Sequence, residues 1–356
     1  MKKYVLLLVL SITILVQQAI SCTTFFINKN GQLIFGRNYD WLSGAGMVCT
    51  NLRGLNKTSL PVPDGKTISW VVKYGSISFN QYGKELPTGG MNEKGLVVEL
   101  MWAEGSQYPA ADKRAAMNVL QWVQYQLDNS ATVEEVIASD KIIRISQSNP
   151  PLHYLVADAN VNAATIEFLQ GKLVTHTGKA LLFPVLTNNS YEQSVKAATD
   201  AKVQAGNTSF SFQDNSLQRF ATACSMVQQY HQNSMDKPAV DYAFNILDKV
   251  AQNDFTKWSI VYDIKNRRIY FRTAAYRDIK SFTFKSFDFN CDAQAKVINM
   301  NQHLKGAVDQ QFVVFNNNIN RQVMELAIEE SKDQVHIDDA EKETNLAYAS
   351  GTSCKQ

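Results

Sequence analysis

Two short apolar runs near the start of the chain are separated by a polar turn. Residues 23–27 are β-branched or aromatic, residues 33–35 are apolar again, and an Asn-Gly pair stands between them at residues 30–31. Asn-Gly between such runs is the strongest short-range signal for a β-hairpin. With these two residues as the loop, Lys29 pairs with Gln32, and that register fixes every other pair along the hairpin.

The predicted register brings four chemically distinctive residues to the open end of this hairpin. Cys22 lies opposite Tyr39, and Arg37 and Asp40 lie at the same end. A nearby guanidinium favours the thiolate form of a cysteine, and a carboxylate can orient an amine. The competing interpretation is that Arg37 and Asp40 form an ordinary surface ion pair that closes the hairpin.

Farther along the chain, hairpin patterns alternate with helical patterns. Two more hairpins are predicted, at residues 153–157 with 164–169 and at residues 258–263 with 268–272. Helices are predicted around Met117, Leu120, Val123 and Leu127, after a capping box that starts at Thr132, and over residues 216–232, 240–250 and 321–330. Hairpins in blocks with helix pairs between them predict an α+β fold, a four-layer αββα sandwich of two facing sheets covered by helices.

The domain organisation follows from composition along the chain. We find no internal repeat and no linker rich in Pro, Gly or Ser, so residues 22–356 are predicted to form a single domain. From about residue 331 the sequence has few large apolar residues and many charges. That composition predicts a frayed or partly ordered tail.

The amino terminus has the pattern of an export signal. Lys2 and Lys3 precede an apolar run over residues 5–16, and residues 19–21 (Ala-Ile-Ser) place small side chains where a signal peptidase reads them. The apolar run is too short for a stable membrane span. We therefore predict that residues 1–21 are removed and that the exported protein, periplasmic or secreted, begins with Cys22.

A cysteine directly after an export signal has two interpretations. It can be the lipid-modified first residue of a bacterial lipoprotein, which would anchor the protein to a membrane. It can also be a free nucleophile, whose own α-amino group (reference pKa near 8) accepts the proton of its thiol (reference pKa about 8.5). Ala19 stands where a lipoprotein signal usually has leucine, which weakens the first interpretation.

Charge and composition exclude several classes of partner. The chain has 356 residues, 45% of them hydrophobic, with 35 basic and 33 acidic residues. Without Lys2 and Lys3 the two counts are equal, and no run of basic residues is present to neutralise phosphates or to hold an anionic membrane surface. Nucleic acid is therefore not an expected partner.

The residues around Cys22 resemble the start of a known enzyme family. Residues 22–24 (Cys-Thr-Thr) followed by residues 35–41 (Phe-Gly-Arg-Asn-Tyr-Asp-Trp) are similar to the opening of the choloylglycine hydrolase family. This family of N-terminal nucleophile hydrolases includes bile salt hydrolases and penicillin V acylases, and the acyltransferase-like peptidases share a similar start. Residues 90–96 (Gly-Met-Asn-Glu-Lys-Gly-Leu) resemble its second signature, and the matches run in family order to about residue 275.

The resemblance implies an activity and a set of catalytic residues. It implies hydrolysis of a linear, non-peptide amide in a small N-acyl substrate, through a thioester acyl-enzyme and without a cofactor. The implied catalytic residues are Cys22, Arg37, Asp40, Asn188 and Arg219. In this scheme Asp40 orients the α-amine, and Arg37 and Arg219 lower the pKa of the thiol. Asn188 donates to the oxyanion together with a backbone N–H near Trp102.

Two features depart from the pattern of many bile salt hydrolases. Trp102 stands where they carry an oxyanion-hole asparagine, and a tryptophan side chain cannot replace an amide. Only 31 residues separate Asn188 from Arg219, fewer than in members that use an inserted loop there to assemble tetramers. The homo-oligomeric state is therefore open. Trp41 and Trp102, each beside a matched motif, are either ordinary core residues or a hydrophobic wall for the acyl group.

The remaining cysteines and the histidines show no metal-binding spacing. Cys49, Cys224, Cys291 and Cys354 permit disulfides in an oxidising compartment, and Cys224, within a predicted helix, is expected to be a buried small apolar residue. No two of the five histidines stand at ligand spacing. Neither a metal site nor a Cys-His dyad is expected.

Three functions are consistent with these observations. The first is an exported acylase of the bile salt hydrolase or penicillin V acylase type. The second is an acyltransferase-like peptidase or fatty-acyl amidase of the same clan, which the Cys-Thr-Thr start favours slightly. The third is a lipidated surface protein with a binding role and no catalysis, in which Cys22 is modified.

Overall fold

The computed structural model describes residues 22–232 and 238–354, so the predicted signal peptide lies outside the described residues. The helices are α1 Val119–Asn129, α2 Val133–Ala138, α3 Tyr191–Asp200, α4 Asn215–Gln232, α5 Ala239–Lys249, α6 Asn317–Ser331 and α7 Asp339–Tyr348. The strands are β1 Thr23–Lys29, β2 Gln32–Asp40, β3 Met47–Asn51, β4 Leu55–Thr58, β5 Ser69–Val71, β6 Ser76–Asn80, β7 Pro87–Asn92, β8 Val97–Trp102, β9 Ala115–Met117, β10 Ile143–Ile145, β11 Leu152–Ala157, β12 Ala163–Leu169, β13 Lys172–Thr177, β14 Val185–Leu186, β15 Thr256–Asp263, β16 Arg268–Thr273, β17 Lys280–Thr283, β18 Lys296–Asn299, β19 Gly306–Ala307, β20 Val313–Val314 and β21 Ser353–Cys354.

The first hairpin has the predicted register. β1 and β2 pair antiparallel with Lys29 opposite Gln32, and the two loop residues have φ values of 52° and 73°, the left-handed region that Asn and Gly tolerate. Gly36 is required by packing, because a Cβ there would lie 2.3 Å from the ring of Phe25. The other two predicted hairpins are confirmed as β11 with β12 and β15 with β16.

Two large sheets form the centre of the fold. One has seven strands in the order β14-β1-β2-β15-β16-β17-β19, and the other has nine in the order β13-β12-β11-β8-β7-β6-β3-β18-β20. A buried cluster joins them face to face, with Phe35 and Tyr262 from the first sheet and Phe79 and Met101 from the second. Burial of these side chains stabilises the sandwich, since apolar area removed from water contributes about 25 cal/mol per Å².

Helices cover the outer face of each sheet. α4 and α5 pack on the seven-stranded sheet through β1, β2 and β15, and α1 and α2 pack on the nine-stranded sheet through β7, β8 and β12. The fold is therefore the predicted four-layer αββα sandwich. Among the described residues, no helix is both long enough and apolar enough to cross a bilayer.

The first helical prediction is right in type but starts too early. Met117 belongs to β9, which pairs in parallel with β10, and α1 begins at Val119. The side chain of Asn118 accepts a hydrogen bond from the backbone N–H of Gln121 and so caps the helix. The predicted capping residue Thr132 does the same for α2.

Of the two possibilities predicted for the segment after residue 331, a frayed or a partly ordered tail, the structure shows an ordered segment up to residue 354. It contains α7, capped by Asp338, and the short strand β21, which pairs with β4. A disulfide joins Cys354 to Cys291, and Leu346 is 97% buried. The strand pairing, the disulfide and the buried Leu346 all help to hold this segment, and the first two act through distant parts of the chain that local composition does not reveal.

We expect Cys354→Ser to destabilise the carboxy-terminal segment. The disulfide closes a sequence separation of 63 residues, and a loop of that size contributes about 2–4 kcal/mol. Limited proteolysis should then cut within residues 331–354 of the variant and not of the wild type. The matched control is Cys224→Ser, a free buried cysteine on α4. Equal resistance of Cys354→Ser and wild type to the protease would contradict the prediction that the disulfide holds this segment in place.

Candidate active site

Cys22 lies immediately before β1, at the end of the hairpin that carries Arg37 and Asp40. Its side chain is 96% buried, and its thiol donates a hydrogen bond to the backbone carbonyl of Asp40 over 3.8 Å. Burial raises the pKa of the thiol, while Arg37 works in the opposite direction. A thiol in this setting needs a base to become a nucleophile.

Arg37 is fully buried between the two sheets. Its guanidinium donates to the carbonyls of Thr88 and Leu100 at 3.0 and 3.1 Å and forms an ion pair with Glu99. The Tyr262 hydroxyl donates to the other oxygen of Glu99, and burial raises the pKa of this carboxyl to about 7. Gly89 leaves space for the Glu99 side chain, because a Cβ at residue 89 would lie 1.9 Å from its carboxylate.

Asp40 is held on the opposite face of β2 from Arg37. Its two carboxylate oxygens accept hydrogen bonds from Gln252 and Thr256, the first over 3.0 Å. Burial raises the pKa of this carboxyl, and Arg219 and the two donors oppose that rise. The hydrogen bonds fix the carboxylate beside Cys22.

Arg219, on α4, joins Cys22 to Asn188. Its guanidinium donates to the backbone carbonyl of Cys22 at 2.7 Å, to the hydroxyl of Thr23, and to the side-chain oxygen of Asn188 at 2.9 Å. The amide nitrogen of Asn188 donates to the Trp102 carbonyl at 2.7 Å. These contacts orient the amide, whose oxygen is occupied by the arginine.

The structure thus brings together the predicted catalytic residues, which come from four separate parts of the sequence. They are Cys22, Arg37, Asp40, Asn188 and Arg219. The supporting residues that the sequence did not single out are Thr23, Thr88, Glu99, Gln252, Thr256 and Tyr262. Glu99 alone gives a sequence signal, as a charged residue in the apolar strand β8.

Cys22 opens into an apolar cavity of about 650 Å³. Trp41 and Trp102 form part of its wall with their ring centroids 6.2 Å apart, and the Trp41 indole donates to the Tyr82 hydroxyl at 2.6 Å. The other wall comes from residues 60–63 and from residues 334–345 of the carboxy-terminal segment. The cavity has the size and lining of a site for a largely apolar small molecule.

A second, larger cavity of about 940 Å³ adjoins the first, and Trp102 lies in the wall of both. Asn188 and Gln252 also line it, and Gln252 is the residue that holds Asp40. Its other lining residues are mainly polar, including His153 and Glu167. The two cavities therefore share the wall at Trp102, and Cys22 lines the apolar one.

Comparison with known families decides the assignment. The family described as linear amide C-N hydrolases, choloylglycine hydrolase family, matches residues 22–228, more than half of the chain. The chain belongs to this family. The match begins at Cys22, the residue around which the site is built.

Individual relatives agree with the family in both sequence and fold. This member of the family is 27% identical over 263 residues to a penicillin V acylase of Pectobacterium atrosepticum, which covers 63% of this chain and 69% of that protein. Its fold is similar to the penicillin V acylase of Agrobacterium tumefaciens, with a TM-score of 0.71 at 23% identity over 83% of this chain and 98% of the other. A mutant conjugated bile acid hydrolase of Clostridium perfringens gives a TM-score of 0.65 at 18% identity, over 80% and 98%.

Proposed function

We propose that this linear amide hydrolase is exported, processed after Ser21, and uses Cys22 as an N-terminal nucleophile on N-acyl amides with a large apolar acyl group. The observation that carries the proposal is the position of Cys22, among two arginines, a carboxylate and an amide at the mouth of an apolar cavity. The names of the similar proteins, penicillin V acylase and bile acid hydrolase, support an acyl group of this kind.

The proposed reaction starts with attack of the Cys22 sulfur on the amide carbonyl. The α-amino group of Cys22, freed by processing, takes the thiol proton and passes it to the leaving amine, so the C–N bond breaks as a thioester forms. Water then attacks the thioester, the same amine takes its proton, and the acid product leaves with the thiol restored. Asp40 orients the amine, because its carboxylate is fixed beside Cys22 by Gln252 and Thr256.

Two donors stabilise the negative oxygen in this scheme. An asparagine amide carries two N–H groups, and Asn188 uses one for the Trp102 carbonyl. We assign its second N–H to the oxyanion, together with a backbone N–H near Trp102. A single donor of this type contributes about 3 kcal/mol to the stability of the transition state.

Burial of Cys22 is the reason to prefer the nucleophile over the lipidated residue. The side chain is 96% buried and its sulfur faces the Asp40 carbonyl. A diacylglyceryl group on that sulfur would have to fill the cavity or displace β1. Intact-mass analysis of the protein from its native host is the test: a mature mass that starts at an unmodified Cys22 supports the proposal, and a lipid adduct or a retained signal contradicts it.

A substrate panel tests the reaction itself. The processed protein is incubated with penicillin V, glycocholate and N-acyl amino acids of increasing chain length, and free amine and free acid are measured. Release of both products from one or more of these amides is expected. Release of neither from any substrate would contradict the proposed hydrolase, and transfer to an added amine in place of water would favour the acyltransferase alternative.

We expect Trp41→Leu to reduce activity selectively on substrates with large acyl groups. Loss of part of an aromatic wall removes about 1.5–3 kcal/mol of apolar contact, or about 10- to 100-fold in kcat/KM. The measurement compares a phenylacetyl or long-chain amide with the acetyl amide of the same amine. The acetyl substrate is the control, because it does not reach the wall. Equal losses on both would show that Trp41 acts only through the fold.

A further inference from the structure

Two aromatic residues in the wall of the apolar cavity are joined to a helix outside it by hydrogen bonds. The Trp41 indole N–H donates to the hydroxyl of Tyr82 at 2.6 Å, and both residues line the cavity. An indole N–H can only donate, so the hydroxyl oxygen of Tyr82 is the acceptor. The same hydroxyl lies 2.8 Å from Oγ of Ser331, the last residue of α6.

The direction of each hydrogen bond in this chain follows from its chemistry. The Ser331 hydroxyl donates to the backbone carbonyl of Ala327, because a carbonyl only accepts. A serine hydroxyl has one proton, so it is the Tyr82 hydroxyl that donates to Ser331. Burial raises the pKa of Tyr82 to about 12, and the phenol therefore keeps the proton that it donates. Each hydroxyl thus accepts from one neighbour and donates to the next.

The hydrogen-bonded chain ends in α6, away from the cavity. Tyr82 is 93% buried and Ser331 is fully buried. Ser331 is not among the described residues that line either cavity. The N–H edge of the Trp41 indole therefore faces α6, while the residue stays half-buried in the cavity wall. Without this acceptor the indole N–H would lack a partner, which favours rotation of the ring toward water in the cavity.

The backbone that follows Trp41 is bound to the same end of α6. The Ser43 hydroxyl donates to the carboxylate of Glu330 at 2.6 Å. The chain after α6 then supplies residues 334–345, which form another part of the cavity wall. The end of α6 therefore supports two sides of the apolar cavity.

We propose that Tyr82 is a positioning residue for the acyl group, whose hydroxyl holds the Trp41 indole toward α6 and so sets the preference for large over small acyl groups. This inference rests on the proposed hydrolase function and adds a determinant of acyl selection to it. Ser331 acts through Tyr82, although it lies outside the cavity wall. Both effects pass through Trp41, so the attack of the Cys22 sulfur itself is unchanged.

Tyr82→Phe tests the hydroxyl while keeping the ring. The measurement is the ratio of kcat/KM for phenylacetylglycine to kcat/KM for acetylglycine, two amides of the same amine. We expect this ratio to fall about fivefold, the effect of one net hydrogen bond. The ratio does not depend on the fraction of enzyme that is folded, so a purely structural role would leave it at the wild-type value. An unchanged ratio would overturn the proposal.

Two further variants locate the effect in the hydrogen-bonded chain. Ser331→Ala removes the acceptor of Tyr82 and should lower the ratio about two- to threefold, the low end of the same range. Tyr242→Phe is the matched control, because its buried hydroxyl on α5 donates to the Met226 carbonyl at 2.8 Å and it lies outside both described cavity linings. Its ratio should equal that of the wild type. No fall with Ser331→Ala, or an equal fall with Tyr242→Phe and Tyr82→Phe, would overturn the proposal.

A double-mutant cycle shows whether Tyr82 acts through the indole. Trp41→Phe keeps an aromatic ring in the wall and removes the N–H group. In that background, Tyr82→Phe is expected to have no further effect on the ratio, because the hydroxyl no longer has an indole to hold. An equal fall in the presence and absence of Trp41 would show that Tyr82 acts by another route and would overturn the proposal.

Binding measurements keep this inference distinct from the hydrolase mechanism. Cys22→Ala removes the sulfur, so calorimetric titration with the same two amides reports affinity without turnover. Adding Tyr82→Phe should weaken binding of phenylacetylglycine about fivefold and leave that of acetylglycine unchanged. This result supports the positioning role even where the wild type proves inactive, an outcome that would contradict only the proposed function. Unchanged affinity for phenylacetylglycine would overturn the inference and leave the proposed hydrolase standing.

Discussion

Replacing Cys22 by serine is expected to lower kcat/KM on every N-acyl amide by at least about 1000-fold while the protein stays folded. An oxygen replaces the sulfur with little change in volume, but a hydroxyl is a far weaker nucleophile than a thiol at neutral pH. The loss should be shared by substrates with all acyl and amine groups, because the nucleophile takes part in every turnover.

The control for this prediction is a second free cysteine. Cys49→Ser changes a buried thiol on β3 that lies outside both cavity linings. Circular dichroism and denaturant unfolding should show both variants folded, and only Cys22→Ser should be inactive. Amidase activity retained by Cys22→Ser after verified processing would refute the mechanism.

Arg37→Met is expected to lose both activity and stability, with the loss of stability growing with pH. Removal of one partner from a buried ion pair costs about 3–5 kcal/mol. In the wild type, Glu99 has a pKa raised to about 7 by burial, and Arg37 opposes that rise. Without the arginine the pKa of Glu99 rises further, so the carboxyl stays protonated at pH values where the wild-type carboxyl is ionised.

The sign of the pH effect follows from linkage. A carboxyl whose pKa is raised on folding contributes stability that is present below its unfolded value, about 4.5, and is lost as the pH rises through its folded value. For the wild type this loss ends near pH 7. For Arg37→Met it continues, by about 1.4 kcal/mol per pH unit above 7. Urea unfolding at pH 6, 7 and 8.5 measures the difference.

A double variant separates the fold from the chemistry. Arg37→Met with Glu99→Gln removes both charges, and the glutamine oxygen still accepts from the Tyr262 hydroxyl. We expect it to recover most of the stability and to lose the pH dependence, since an uncharged pair leaves no ion buried without a partner. Activity should remain at least about 100-fold below wild type because the thiolate lacks its cation. Recovery of activity with stability would show that Arg37 acts only through the fold.

The fold could be predicted largely because its strongest signals are local. The Asn-Gly turn dictates the first hairpin, and its register places Arg37 and Asp40 beside Cys22 before any tertiary structure is considered. The two side chains lie on opposite faces of β2. Arg37 points toward the second sheet, and Asp40 points toward Gln252 and Thr256. Alternation along a strand gives this separation, but not the partners that each side chain meets.

The partners come from residues far apart in the chain, so sequence patterns missed them. Glu99 lies 62 residues from Arg37, and Gln252 lies 212 residues from Asp40. Asn188 and Arg219 were found only through the resemblance to a family, since neither stands in a pattern that local chemistry explains. The degree of order in the carboxy-terminal segment could not be predicted for the same reason, because the segment is held by a distant cysteine and a distant strand.

The apolar cavity is built from the two ends of the described chain, which are synthesised at different times. Cys22, the proposed nucleophile, lies near the amino terminus. Part of the cavity wall is formed by residues 334–345, which the Cys291–Cys354 disulfide holds in place. A polypeptide still emerging during synthesis, or one kept where thiols stay reduced, would present the nucleophile without a firmly held wall. Under the proposed mechanism, full capacity to hold a substrate would depend on formation of this disulfide as well as on removal of residues 1–21, and the amidase would remain weak until both had occurred.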